Sequence, residues 1–157
     1  MSSRIPRSAG TPWLIAGAAL SAAAALLHVG VIAGGPDWYR FFGAGERMAQ
    51  MATRGHWYPP VVTTGIAIVL AGWALVALSG AGLTVRVPFL RTGLAAITAI
   101  YVARGLLIVP VAMFVPYPEG AFDYWSSLIV LVYGLVYAIG LWRAWPALRP
   151  RPKSSIA

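Results

Sequence analysis

The sequence predicts an all-α polytopic membrane protein, a four-transmembrane-helix bundle with an interfacial aromatic-rich loop or short helix between helices 1 and 2. Of its 157 residues, 59% are hydrophobic and only 10% are charged, whereas soluble domains contain about 45–50% and about 25% of these classes. The apolar residues form continuous runs and do not alternate with polar ones, which favours helices over a membrane β-barrel. We therefore expect residues 1–157 to form a single membrane domain.

The charged residues delimit the helices, because a bilayer core about 30 Å thick requires about 20 apolar residues per span. Three uncharged stretches of 29, 31 and 19 residues are each long enough for one helix. A fourth region, between Arg91 and Glu119, is interrupted only by Arg104, which leaves pieces of 12 and 14 residues. Neither piece crosses the core alone, so we interpret the region as one helix carrying an arginine. The predicted spans are residues 13–33, 60–79, 92–113 and 126–145, flanked by short basic tails at 1–11 and 146–157.

The first span has a competing interpretation as a cleaved secretory signal, since Arg4 and Arg7 precede it and small residues follow. Its apolar stretch continues to Ile32, beyond the core of about 7–15 residues of a signal peptide, which favours an uncleaved helix. In the third span, Pro110 predicts a kink near the far end, because proline lacks the N–H that the helix needs.

Small and aromatic residues predict how the helices pack. Gly30, Gly34, Gly134 and Gly140 offer surfaces on which helices can approach closely. Tyr133 and Tyr137 lie four residues apart in the last span and are expected to form one packed aromatic face.

The basic residues predict the orientation, since Lys and Arg of short loops stay on the cytoplasmic side. With four spans, both tails and the second loop share one side, which carries eight basic residues, while the opposite side carries three and all four acids. Both termini are therefore expected in the cytoplasm. The net charge of +8 is interpreted as attraction to anionic membrane lipids. It does not indicate nucleic-acid binding, because the basic residues are scattered and form no clustered face.

The first outer loop begins with a turn signal that places Asp37 as a helix N-cap. Aromatic residues suited to the headgroup level follow, and residues 46–54 predict about two helical turns with Met48 and Met51 on one face. Two interpretations stay open: an interfacial cap over the bundle, or a mobile loop that only anchors the protein at the membrane surface.

Arg104 carries most of the functional information. Thirteen residues beyond Arg91, it is expected about 20 Å along its helix, near the bilayer midplane. A charge there costs about 2.5–3.5 kcal/mol on insertion scales and requires a partner. The spans contain no acid, so a carboxylate must reach in from the outer loops, where Asp37, Glu46, Glu119 and Asp123 are the candidates. Glu46 is the first choice, since it lies in the middle of the long loop and could bind the guanidinium through both oxygens.

The polar residues in the outer half of the membrane predict a ligand-binding pocket centred on Arg104, with Glu46, His28, Tyr101 and Thr64 around it. Its positive centre suits a small anion or a lipid headgroup. In the alternative, the protein is a structural or assembly partner of another membrane protein, and an Arg104–Glu46 pair is an internal clamp. A membrane enzyme acting on a lipid is a weaker alternative.

Several chemistries are excluded by the residue inventory. The chain has no cysteine, so thiolate catalysis, disulfide exchange and iron–sulfur clusters are absent. Phosphate-binding glycine loops and the HExxH zinc motif are also missing from the sequence. We expect no catalytic residues, no metal and no cofactor.

A family resemblance is carried by the segment Trp38-Tyr-Arg-Phe-Phe-Gly-Ala-Gly-Glu46, by Trp57-Tyr-Pro59 and by the third helix with Arg104. Over roughly residues 12–145 the chain resembles small uncharacterised bacterial inner-membrane proteins and, in length and helix number, the broad DoxX-like group. The resemblance implies a bacterial inner-membrane location and no agreed catalytic residues. Some DoxX-like proteins are associated with thiol or sulfur redox chemistry, for which this chain lacks cysteine.

Overall fold

The computed structural model describes residues 5–114 and 121–149, and the regular elements within them are helices. Four candidate spans are long and apolar enough to cross a membrane, the third of them divided at residue 107. The chain is thus a multi-pass membrane protein, and the predicted all-α fold class is confirmed. The helices are α1 Thr11–Phe41, α2 Glu46–Thr53, α3 Tyr58–Gly80, α4 Leu90–Leu106, α5 Ile108–Phe114 and α6 Ala121–Ala144.

The four spans form a ring in which each packs against its neighbours in chain order. α1 lies against α3 and α6, and α4 lies against α6 and α3. We call the end that carries α2 the cap end. The opposite end, which we call the terminal end, holds residues 5–10, the α3–α4 loop and residues 145–149; there Gly10 lies against Gly140 and Ala144.

Helix α1 is two segments joined at a kink. Gly35 has φ 68° and ψ −151° inside the helix, and Pro36 follows it. This backbone conformation is open to glycine and costly for other residues, so the sequence places the break. The predicted span 13–33 ends just before it. Asp37, predicted as an N-cap, lies inside the second segment, where its carboxylate accepts a hydrogen bond from Arg40.

The glycines predicted at helix contacts make two kinds of close contact, one between two helices and one within α1. A Cβ at Gly134 would lie 2.9 Å from the backbone nitrogen of Val102 on α4, which confirms the predicted close approach of helices at this glycine. Gly34 differs from the prediction, because the ring of Trp38 from the same helix covers it and Gly30. The kink therefore folds a tryptophan back onto α1 in the place where a second helix was expected.

The third span is interrupted at the predicted position. α4 ends at Leu106 and α5 begins at Ile108, with Pro110 in its first turn. Proline has no N–H to donate to the carbonyl four residues earlier, which is that of Leu106. The predicted kink near the far end of the third span is confirmed, and the last span begins at Ala121, five residues before the predicted start.

Helix α2 packs over the cap end, so the structure has the interfacial cap and not the loose loop. Ala49 is buried against Val31 and Tyr39 of α1. The Thr63 hydroxyl on α3 donates a hydrogen bond of 3.3 Å to the Tyr39 hydroxyl, and the Phe42 ring meets the Phe122 ring of α6 with centroids 6.2 Å apart. Helix α2 thus packs against α1, and the end of α1 beneath it contacts α3 and α6.

Candidate functional site

Arg104 lies two residues before the end of α4, and its side chain is exposed at the edge of the bundle. One of its terminal nitrogens, Nη1, donates a hydrogen bond of 3.1 Å to the hydroxyl oxygen of Ser127 on α6. Ser127 is only 1% exposed. The contact therefore joins a peripheral charge to a buried neutral hydroxyl on the neighbouring helix.

The depth of this contact differs from the expected midplane position. Ser127 follows the start of α6 by six residues, or about 9 Å of helix. On the third span, Leu90–Val111, Arg104 lies about two thirds of the way from its start. Arg104 is nearer to the cap end than predicted, because the third span, Leu90–Val111, begins and ends two residues earlier than the predicted 92–113.

The predicted Arg104–Glu46 ion pair is wrong. Glu46 accepts hydrogen bonds from Arg40, at 2.8 Å from Nε and 3.2 Å from Nη2, and the same guanidinium binds Asp37 at 2.9 Å. The turn at residues 42–45 brings Arg40 and Glu46 together on the surface, so the carboxylate has a partner without entering the bundle. The Arg40 guanidinium holds the pKa of Glu46 below its ordinary value.

Glu119 and Asp123 are the two other acids that the sequence offered as partners of Arg104. Glu119 lies outside the described residues. Asp123 is half-buried on α6, one helical turn before Ser127 and so on the same helix face. Of the acids whose position is described, Asp123 is the one on the helix that binds Arg104.

The remaining predicted site residues are dispersed. The Nδ1 atom of His28 lies 2.7 Å from the carbonyl oxygen of Ala24, one turn earlier in α1. Thr64 is exposed, while its neighbour Thr63 is buried and binds Tyr39. Of the five residues predicted around the pocket, only Tyr101 and Arg104 are close neighbours, three positions apart on α4.

Tyr101 belongs to a buried hydroxyl cluster, which we define as Ser21, Tyr101 and Tyr137. The Ser21 oxygen lies 2.9 Å from the Tyr101 hydroxyl and 2.8 Å from the Tyr137 hydroxyl. The Tyr137 hydroxyl also lies 3.4 Å from the carbonyl oxygen of Trp73. Since these residues come from α1, α4, α6 and α3, the cluster joins all four spans by hydrogen bonds between neutral groups.

Aromatic rings surround the hydroxyl cluster. The Trp73 and Tyr101 rings meet edge to face with centroids 4.9 Å apart, and the Tyr133 ring lies 5.7 Å from that of Tyr101. This cluster was not predicted from the sequence, because Tyr133 and Tyr137 were interpreted only as residues that pack between helices. The available signal was Ser21, a hydroxyl within an alanine run, which in a membrane span requires a hydrogen-bond partner.

Two clefts in the described part of the chain lie away from Arg104. One, of about 500 Å³, is bordered at the cap end by Asp37, Trp38, Phe41 and Phe42. The other, of about 640 Å³, lies at the terminal end beside Arg86. Arg104 instead occupies an open edge between α4 and α6. Within residues 5–114 and 121–149, His, Asp and Glu side chains form no group of three that could hold a metal.

Comparisons with protein-family models, with curated proteins and with solved structures give no match for this chain. The function is therefore inferred from the contacts of Arg104 and its neighbours.

Proposed function

We propose that this membrane protein binds a small anion or an anionic lipid headgroup at Arg104, on the edge between α4 and α6. The observation that supports the proposal is an exposed guanidinium within an apolar span, hydrogen-bonded to the neutral Ser127. Arg104 is exposed at this edge, whereas the sequence suggested an outward-facing pocket around it. Glu46 is not part of it, since Arg40 binds that carboxylate.

The energetic reason is the cost of a charge in hydrocarbon. An arginine at the centre of a span costs about 2.5–3.5 kcal/mol on insertion scales, which is an upper bound for Arg104, about two thirds of the way along its span. A guanidinium has five N–H donors, and the Ser127 hydroxyl accepts a hydrogen bond from one of them. An anion that approaches along the edge offsets this cost by pairing with the guanidinium.

The depth of the site favours a lipid headgroup as the anion. Ser127, which accepts the hydrogen bond from Arg104, lies about 9 Å along α6 from its start, and a long arginine side chain extends toward the interface. The distribution of basic residues supports an orientation with both termini in the cytoplasm, which assigns Arg104 to the outer leaflet. We also propose that the protein is located in a bacterial inner membrane and that it is related to the DoxX-like group.

The test is native mass spectrometry of the gently solubilised full chain, with anionic and zwitterionic phospholipids offered in equal amounts. For Arg104→Gln we expect at least a fivefold loss of bound anionic lipid and an unchanged unfolding temperature. Arg47→Gln is the matched control, since it removes an exposed charge from α2, and it should retain the lipid. Loss of the folded protein in Arg104→Gln would instead support the structural alternative, in which Arg104 only joins α4 to α6.

An assembly role is the second candidate, favoured by the aromatic surface at the cap end. Phe41 is 72% exposed and borders the cleft with Trp38 and Asp37. Such rings also suit the membrane interface, so the surface alone does not require a protein partner. Replacing Phe41 by Ser tests this role: loss of a native complex on gels, with lipid binding at Arg104 retained, would favour assembly over ligand binding.

A further inference from the structure

The terminal end carries a cleft that the proposed function does not use. It has a volume of about 640 Å³. Its border is formed by Arg86 and Phe89 of the α3–α4 loop, by Arg91 and Thr92 at the start of α4, and by Leu148 from the segment after α6. Ligand sites in proteins have volumes of about 300–1,000 Å³. The cleft is therefore large enough for a headgroup, and it lies at the end of the bundle opposite the cap.

The loop beside this cleft is held in place by a buried serine. The Ser79 hydroxyl at the end of α3 donates to the carbonyl of Val85 at 2.9 Å and accepts from the N–H of Val87 at 3.1 Å. Arg86 lies between these two anchored residues. Further along, Phe89 has a left-handed backbone with φ 53° just before α4, which places its ring outside the bundle. The loop is thus organised before any ligand binds.

The segment after α6, residues 145–149, positions both Arg86 and Arg91. Nη2 of Arg86 donates to the carbonyl of Leu148 at 2.6 Å. Nη2 of Arg91 donates to the carbonyl of Trp145, and its guanidinium carbon lies 4.4 Å from the centre of the Trp145 ring. Each guanidinium has five donors, and these carbonyls take one from each. In the described part of the chain, Nε of Arg91 is buried without a hydrogen-bond partner.

The charge at this end has one sign. Residues 5–10, 81–92 and 145–149 contain no Asp or Glu, and the described acids Asp37, Glu46 and Asp123 belong to the cap end or to the start of α6. Two guanidinium groups without a local carboxylate attract a phosphate group, which arginine binds through paired hydrogen bonds.

Apolar side chains next to the cleft indicate that the phosphate belongs to a lipid. Phe89, which borders the cleft, is 86% exposed, and Val85, next to Arg86 in the loop, is exposed as well. In a membrane these surfaces contact acyl chains, so a phospholipid can place its headgroup between the arginines and its chains against these surfaces. A soluble phosphate would use only the arginines.

We propose that the cleft of Arg86 and Arg91 binds the phosphate of an anionic phospholipid in the leaflet at the terminal end. This site is separate from Arg104, and it does not depend on the proposed function there. The two sites lie at opposite ends of the bundle, so the full chain is expected to bind one anionic lipid at each.

The experiment is native mass spectrometry of the full chain in detergent, titrated with phosphatidylglycerol, phosphatidylcholine or inorganic phosphate. The double variant Arg86→Gln/Arg91→Gln is compared with Arg143→Gln/Arg149→Gln, which removes the same charge from the same end. We expect at least a tenfold loss of one phosphatidylglycerol in the first double variant and less than a threefold loss in the second. Inorganic phosphate and phosphatidylcholine should bind at least tenfold more weakly to the unmodified chain.

Equal losses in both double variants would overturn the proposal, since they would indicate attraction to net charge without a site. Binding of inorganic phosphate as strong as that of phosphatidylglycerol would overturn the lipid assignment. Arg104→Gln separates the two sites, because it should leave this lipid bound whether or not the proposed function is correct. Should the Arg86/Arg91 variant fail to fold, a photoactivatable phosphatidylglycerol decides the question in the unmodified chain: adducts in residues 83–92 support the cleft, and their absence there refutes it.

Discussion

The hydroxyl cluster and the Arg104–Ser127 contact both include residues of α4 and α6. They differ in whether their polar groups require a ligand from outside the protein. Tyr101 is buried and Arg104 is exposed, although only three residues separate them on α4. Because a helix has 3.6 residues per turn, side chains three positions apart point in directions that differ by about 60° around the helix axis. That rotation carries the first residue into the bundle and the second to its edge.

The difference shows how polar groups in a membrane protein divide between structure and binding. The three hydroxyl groups of the cluster are neutral and satisfy one another across helices, so they require no ligand. The guanidinium of Arg104 keeps its charge and meets the neutral hydroxyl of Ser127. Neutral groups can thus join helices on their own, while a charge at the edge offers a place for an anion.

The largest expected effect comes from separating α4 and α6, which would disturb both regions together. A Cβ at Gly105 would lie 2.8 Å from the backbone Cα of Leu131, a contact that must push the helices apart. We expect Gly105→Ala to lower the free energy of unfolding by about 1–3 kcal/mol, the usual cost of overpacking. Thermal unfolding in detergent measures this loss.

Gly72 provides the control, since its added Cβ would meet nothing within 4 Å in α3. Gly72→Ala should be neutral or stabilising by up to about 1 kcal/mol, because alanine favours helix. Equal stabilities of the two variants would contradict the close α4–α6 contact.

A smaller effect should follow from changing only the interior region. Tyr137→Phe removes the hydroxyl that binds Ser21 and Trp73, and we expect it to destabilise the fold by about 0.6–1.7 kcal/mol, the range for hydrogen bonds between membrane helices. A double-mutant cycle with Ser21→Ala isolates the pair. Tyr124→Phe, at an exposed position, should have no effect. A zero coupling energy would show that the cluster is packing alone.

Changing the edge alone should alter binding without altering stability. Ser127→Ala removes the hydroxyl that orients Arg104 but keeps the charge, so we expect a two- to fivefold loss of anionic lipid, less than for Arg104→Gln. Lipid titration monitored by native mass spectrometry gives the ratio, with Ser126→Ala as the neighbouring control. A larger loss in Ser127→Ala than in Arg104→Gln would mean that the hydroxyl, and not the charge, binds the lipid.

The smallest effect is expected at the surface pair of Arg40 and Glu46. Arg40 lowers the pKa of Glu46, so the folded protein favours the ionised carboxylate. Its contribution is present at neutral pH and is lost as the pH falls through this lowered pKa. Since exposed pairs contribute little, the unfolding temperature should not change in Glu46→Gln. Hydrogen exchange of the α2 amides should be faster in this variant at neutral pH and equal to the unmodified chain in acid; a difference that persists in acid would contradict the pairing.

Much of the fold was predictable because the membrane constrains each segment by itself. The length of each uncharged run, the kink at Pro110 and the amphipathic pattern of α2 follow from neighbouring residues, and the structure confirms them. The partner of Arg104 was not predictable in this way. Which acid pairs with Arg104 depended on whether a loop entered the bundle. Glu46 instead pairs with Arg40, which is nearer to it in the chain.

The sequence by itself determined the four spans, the break at Pro110 and the presence of Arg104 inside the third span, since hydrocarbon thickness and the cost of burying charge act on each stretch of chain separately. Only the tertiary structure decided that Ser21 meets two tyrosines, that Ser127 meets Arg104, and that Arg86 and Arg91 bind carbonyl groups after α6. These contacts join residues far apart in the chain, and they depend on how α4 and α6 rotate and how closely their glycines let them approach.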